Sequence, residues 1–179
     1  MKKLIRHHSA SRGFTLIEVL VVIGIMGIFM VVSYPSILNT TAARNLENTT
    51  RQVQTFLQQT KFRAVSTKIV HRVRFYLVDG SYWAYDMESL QPDGNSWVRV
   101  GNAPRKTIPN RLNATITFPT VGADHVAVFS PLGTFPEFEV NQNSITLQSP
   151  RLDRPGQMDE RVLSIFMGGS IQYAKRKSA

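Results

Sequence analysis

The sequence predicts an α+β protein: a long N-terminal helix, membrane-spanning in its first half, packed on antiparallel β-sheets. Three observations carry this. Between Phe14 and Val32 the chain is almost wholly apolar, with Glu18 as its single ionisable residue. From Ser36 to Lys68 apolar residues recur at helical spacing among polar ones. After Lys68 the pattern changes to short alternating runs punctuated by turn residues. One long helix followed by several short strands is the order expected of an α+β unit.

The apolar run comes first along the chain. A bilayer core of roughly 30 Å takes about 20 such residues as a helix. Lys2, Lys3, Arg6 and Arg12 precede the run with no acid among them, and basic residues beside a first span hold that side in the cytoplasm. They also supply part of the formal net charge of +9, an excess that otherwise invites a nucleic-acid reading. The chain has no cysteine, which excludes disulfide and thiol chemistry. It divides into a basic leader at 1–13, a transmembrane helix at 14–35 and a globular domain at 36–179. That domain comprises an amphipathic helix at 36–68, a β domain at 69–174 and a basic tail at 175–179.

The junction between leader and span is the most specific part of the sequence. A secretory signal peptide places its small-residue cleavage site after the apolar core. Here Gly13 stands before it, in Arg12-Gly13-Phe14-Thr15-Leu16-Ile17-Glu18-Val19-Leu20. This closely resembles the prepilin signature of type IV pilins and type II secretion pseudopilins. The resemblance implies cleavage by a prepilin peptidase between Gly13 and Phe14, and methylation of the new amino group of Phe14. A carboxylate deep in a bilayer costs about 2.5–3.5 kcal/mol on insertion scales and is a functional suspect. Glu18 lies one helical turn from the amine that cleavage creates, and in a filament a neighbouring subunit's amine would neutralise it. The plainer role is an acid that favours the positive end of its own helix. Gly24 and Gly27 loosen the span and Pro35 removes a backbone donor. The pair Gly27 and Pro35 therefore mark a kink or local stretch, or else Pro35 ends the membrane helix at the interface.

In the amphipathic segment Leu38, Ala42, Leu46, Val53, Phe56 or Leu57, and Ala64 form an apolar stripe. Thr49 and Thr60 fill its missing steps, while Arg44, Glu47, Arg51, Gln54 and Lys61 mostly fall elsewhere. His71, Val73, Phe75 and Leu77 then alternate with Val70, Arg72, Arg74 and Tyr76, and Asp79-Gly80 supplies a hairpin turn into Ser81–Asp86. Pro92-Asp93-Gly94-Asn95 turns again before Trp97–Val100. Further strands are expected around Leu112–Phe118, Val126–Phe129, Ile145–Leu147, Arg161–Met167 and Ser170–Ala174. Gly168-Gly169 turns the last pair, and the stretches around 102–110 and 148–157 read as loops.

The C-terminal half carries a second resemblance. Phe129-Ser130-Pro131-Leu132-Gly133-Thr134-Phe135, then Ile145 and Leu147, Leu163-Ser164-Ile165, and Gly168-Gly169-Ser170-Ile171 resemble the H-type minor pseudopilins, which include FimT-type minor pilins. The resemblance implies a minor subunit that joins, through its N-terminal helix, the pilus-like filament of a type II secretion system, at or near the tip in initiation. It implies a single-pass protein of the bacterial inner membrane, N-terminus cytoplasmic and domain periplasmic. Its partners would be the prepilin peptidase, other pilin subunits, the inner-membrane assembly platform and membrane lipid. The alternative is a FimT-like minor pilin that binds DNA for natural transformation.

Catalytic signals are absent. There is no glycine-rich phosphate loop after a strand and no G-x-S-x-G elbow. Asp124, His125 and Ser130 are the residue types of a hydrolase triad but lie too close along one expected strand. His71 falls on an apolar strand face and reads as a core histidine. No histidine or cysteine spacing suggests zinc, and Pro92–Asn95 reads as a turn before it reads as calcium ligands. No enzyme activity, metal or cofactor is expected. For DNA the candidate contacts are Arg72 and Arg74 on one strand face, and Lys175, Arg176 and Lys177 at the end of the chain. The Gly-Arg-x-Arg motif of DNA-capturing relatives is replaced here by Ala174-Lys175-Arg176-Lys177.

Overall fold

The computed structural model describes residues 14–152 and 156–178, and of residues 32–36 the backbone alone. Helix α1 (Leu16–Thr67) comes first and carries the helical backbone through Gly24, Gly27 and Pro35. It ends where Lys68 takes φ 60°, one residue before the limit its pattern predicts. That left-handed residue is how helices commonly stop, although glycine is the usual occupant. The chain falls into two compact units, Met1–Leu38 and Asn39–Ala179.

In the second unit α1 buries Leu46, Thr49, Thr50, Val53, Phe56, Leu57, Thr60 and Ala64 along one stripe. Thr50 and Thr60 sit in an apolar stripe because their hydroxyls are answered locally. Thr50 Oγ1 donates to the Leu46 carbonyl at 2.7 Å and Thr60 Oγ1 to the Phe56 carbonyl at 2.8 Å. A hydroxyl bonded one turn back is buried without being orphaned.

The strands are β1 (His71–Val78), β2 (Tyr82–Leu90), β3 (Trp97–Arg99), β4 (Lys106–Thr107), β5 (Asn113–Ile116), β6 (Thr120–Val121), β7 (Asp124–Phe129), β8 (Ser144–Gln148), β9 (Glu160–Ile165) and β10 (Ile171–Arg176). The first sheet runs β3-β2-β1-β7-β6 with β4 also on β2, and the second runs β10-β9-β8-β5. Neighbours pair antiparallel throughout. Asp79 and Gly80, both at positive φ (51° and 65°), make the turn from β1 to β2, as the Asp-Gly pair predicts. The fold is thus α+β, a long N-terminal helix packed on antiparallel sheets in the pilin manner.

The core joins α1, through Phe56, to Phe75, Tyr85 and Phe129 of the first sheet and to Ile116, Ile145, Leu147, Leu163 and Ile165 of the second, with Phe118 and Phe135 added from the connecting segments. Phe56 meets Tyr85 edge-on with centroids 5.1 Å apart, and Phe75 stacks on Phe118 at 5.7 Å. Two tight turns close over the same helix. A side chain at Gly169, which has φ 70°, would lie 1.8 Å from the Gly133 carbonyl oxygen, and Lys61 Nζ donates to the Gly169 carbonyl at 2.9 Å. Glycine is required there on both counts.

Polar bonds hold the second sheet to α1. Glu47 Oε2 accepts from Tyr173 Oη at 2.5 Å and from Arg161 Nε at 3.2 Å, and its other oxygen pairs with Arg51 at 3.0 Å. Burial alone would raise the Glu47 carboxyl, but the Tyr173 and Arg161 hydrogen bonds and the charges of Lys175 and Arg51 hold it below the usual range. The sequence pattern places Glu47 off the stripe, and its Arg161 partner is buried.

Several expectations need correction. Leu77 is exposed, because β1 pairs with β7 only as far as Phe75. The stretches read as loops contain β4 and a short 3-10 turn, Pro150–Leu152. The basic tail is shorter than predicted, since Lys175 and Arg176 continue β10 opposite Arg161 and Glu160. Ser178 is tied down as well, donating to buried Asp159 through its N–H at 2.9 Å and its hydroxyl at 2.7 Å. Burial would raise the Asp159 carboxyl, yet the bonds from Gln148 and Ser178 outweigh it and bring it down to about 2.

Two outcomes test this packing. The Tyr85 hydroxyl is buried with no hydrogen-bond partner among the described residues. Because an orphaned buried hydroxyl costs about 1–3 kcal/mol, Tyr85→Phe should raise unfolding stability by about 1 kcal/mol. A loss of stability in urea melts contradicts the orphan. Asp159, lowered in the folded state, stabilises above its unfolded value of about 3.9, and that contribution is lost as pH falls toward 2. The stability gap between wild type and Asp159→Asn should therefore be full at neutral pH and shrink on acidification. A gap constant with pH contradicts the assignment.

Candidate functional site

Helix α1 starts with a cap written into its sequence. Thr15-Leu16-Ile17-Glu18 has the T-x-x-E spacing of a capping box. Thr15 Oγ1 accepts the N–H of Glu18 at 3.3 Å, and the Thr15 carbonyl accepts the N–H of Val19 at 3.3 Å. Glu18 sits in the first turn, where the exposed N–H groups of a helix make its end positive. The apolar periodicity alone passes over this signal.

In the first unit every side chain from Phe14 to Val31 is exposed. A helix apolar on all faces belongs inside a protein or a bilayer, because no side of it is suited to water. Among the described residues no helix is long and apolar enough to cross a membrane. The apolar stretch whose side chains are described, Leu16 to Val31, rises about 24 Å at 1.5 Å per residue, against the roughly 30 Å of a bilayer core. Gly13 and the rest of the leader lie outside the described residues, as do the side chains around Pro35.

The basic candidates separate. Arg72 Nε donates to Glu88 at 2.7 Å, both side chains being largely buried, and its guanidinium lies 4.1 Å over the Trp97 ring. Arg74 pairs with Asp124 at 2.6 Å and Glu88 at 3.4 Å. Arg72 and Arg74 do share the outer face of β1, but the acids that answer them come from β2 and β7. Lys175 Nζ lies 3.6 Å from Glu47. Arg176 and Lys177 are exposed with no ion pair among the described residues.

The hydrolase residue types do not act together. Asp124 holds Arg74, His125 Nδ1 bonds the Phe118 carbonyl at 2.9 Å, and Ser130 Oγ bonds Thr134 Oγ1 at 2.6 Å. His71 is a buried core residue with Nδ1 2.8 Å from the Ile69 carbonyl. Asp93 Oδ1 accepts the N–H groups of Asn95 and Ser96, an Asx turn. No cluster of three or more metal-ligating side chains occurs among the described residues.

Residues 8–34 match the family model described as the prokaryotic N-terminal methylation motif. Comparison with curated proteins gives no match, nor does comparison with solved structures. The matched segment covers the Gly13-Phe14 junction, the Thr15–Glu18 cap and the exposed apolar helix. It implies processing by a prepilin peptidase and assembly with other pilin subunits, and it supports a membrane-anchored, type IV pilin-like protein.

Proposed function

We propose that this chain is a minor pilin or pseudopilin of a type II secretion system, acting at or near the filament tip in initiation. Prepilin peptidase cuts between Gly13 and Phe14, and the new Phe14 amine is methylated. The helix at 14–35 anchors the protein in the bacterial inner membrane, leader side cytoplasmic and domain periplasmic, until the assembly platform draws it into the filament. The chain is then a substrate of the peptidase and a structural subunit rather than an enzyme. The observation that carries this reading is the methylation motif lying on a capped, exposed apolar helix that holds one acid.

The physical reason is charge balance in an apolar medium. Cleavage creates an amine beside the positive end of α1, an unfavourable addition at that terminus. Glu18 compensates it, within the subunit at first and from a neighbour once helices pack. Pairing removes the cost of two isolated charges in hydrocarbon. Val32 extends the apolar stretch beyond Val31, and Gly27 and Pro35 are the points at which the packed helix stretches most easily.

The DNA-binding alternative rests on less. Of its five residues, Arg72, Arg74 and Lys175 already face acids of this chain, which leaves Arg176 and Lys177. Two outcomes test the leading reading. Mass spectrometry of membrane-extracted protein should show a chain beginning at N-methylated Phe14; a mature chain beginning at Met1 contradicts it. Glu18→Ala should insert into membranes normally yet reduce filament incorporation at least tenfold, and normal incorporation contradicts the pairing.

A further inference from the structure

Within the second unit a groove follows α1 on the side of the first sheet. Two adjoining hollows, about 790 and 400 Å³, share Thr55, Phe56, Gln59 and Lys106. Together they reach from Asn48 to Ser66, about 27 Å of helix. Met87 and Ala103 give an apolar floor, and Phe62, 74% exposed, stands at the edge. Among the described residues the ionisable lining is Arg51, Arg63 and Lys106, with no acid. Arg51 is answered by Glu47, whereas Arg63 and Lys106 make no ion pair among the described residues. An apolar floor, an exposed aromatic at its edge and a polar rim of one sign are the parts of a protein interface.

Charge selects the occupant. Two uncommitted cations call for an acidic partner, because matched potentials decide which surfaces meet and like charges penalise the rest. A second copy does not meet that need. The chain is basic as a whole and keeps a net charge of +5 once the four cations of its leader are removed. A minor subunit also meets subunits of other kinds before it meets its own. A nucleic-acid duplex fits no better. It presents one charge per about 1.7 Å, on the order of sixteen along this groove, against two free cations and a floor of hydrocarbon. An acid-bearing protein segment with apolar side chains among its acids satisfies both the rim and the floor. In extended form about eight residues, at roughly 3.3 Å each, cover the length.

We infer that the Arg63–Lys106 groove receives an acidic, partly apolar segment of a neighbouring pilin subunit of a different kind, an inference that rests on the filament reading and assigns a contact surface within it. The photo-cross-linker p-benzoylphenylalanine, placed at Phe62 of the full-length protein in the bacterium that assembles it, captures what lies against the groove's edge. Mass spectrometry should find a second protein with an N-methylated N-terminus, joined through a peptide of net negative charge. Arg63→Glu with Lys106→Glu should lower the yield about tenfold. Arg63→Lys with Lys106→Arg should keep it, and the protease resistance of the domain should be unchanged in both. An adduct with a second copy, with nucleic acid, with a protein that is not a pilin or through a segment without acids overturns the inference. A yield indifferent to the reversal does so too. No adduct from a chain processed at Phe14 and dependent on Glu18 overturns the groove contact and leaves the filament reading standing. A charge-dependent pilin adduct formed by a chain that keeps Met1 upholds the contact and removes that reading.

Discussion

From Leu16 to Val31 the surface of α1 offers its surroundings little besides hydrocarbon, and a folded chain has to place that surface somewhere other than water. Each leucine, isoleucine or valine left exposed forgoes about 1.5–3 kcal/mol. Over this stretch the total is on the order of tens of kcal/mol, several times the net stability of an ordinary domain. The basic leader, the cap at Thr15 and the placement of Glu18 all make sense as accommodations to that surface. The acid stands in the first turn, where the helix end tempers its charge and where processing would create a matching amine.

The second unit answers a different problem with the same helix. There α1 buries only a stripe, and both sheets meet it through one hydrophobic core, aromatic on the side of the first sheet and aliphatic on the side of the second. Its polar steps are satisfied within the helix, by Thr50 and Thr60, or across to the second sheet, by Glu47. Breaking the Glu47–Arg161 pair from one side would strand a buried guanidinium, and such losses are far more damaging than the pair itself is stabilising. The cationic surface is organised similarly. Arginines on the outer face of β1 are matched by carboxylates one strand away, which consumes acids that would otherwise balance the exposed lysines and arginines.

Much of this was legible in sequence because it depends on period and turn chemistry. The stripe from Leu46 to Ala64, the Asp79-Gly80 hairpin and the alternation of His71, Val73 and Phe75 follow from local rules. What was not legible depends on partners distant along the chain. Arg72 and Arg74 read as an uncompensated basic face until strand register set Glu88 opposite Arg72. Lys175 and Arg176 read as tail because a charged run carries no strand pattern, yet pairing with β9 and the Asp159–Ser178 bonds hold them in place. Leu77 kept its alternation but lost the neighbouring strand that would have covered it. At the N-terminus the Gly13-Phe14 junction stands out by its residue types, while the T-x-x-E cap is a polar spacing that apolar periodicity does not carry.

The central claim is that Glu18 is tolerated in an apolar medium because the N-terminal amine of a neighbouring pilin subunit neutralises it. Magic-angle-spinning NMR on assembled filaments measures this directly, with nitrogen-15 in the N-terminal amine of one population, the neighbouring pilin subunits, and a carbon-13 carboxyl in Glu18 of a second, this chain. The account predicts dipolar coupling between the two populations that corresponds to an approach of about 4 Å, the range of an ion pair. An absence of coupling between the two populations would contradict it.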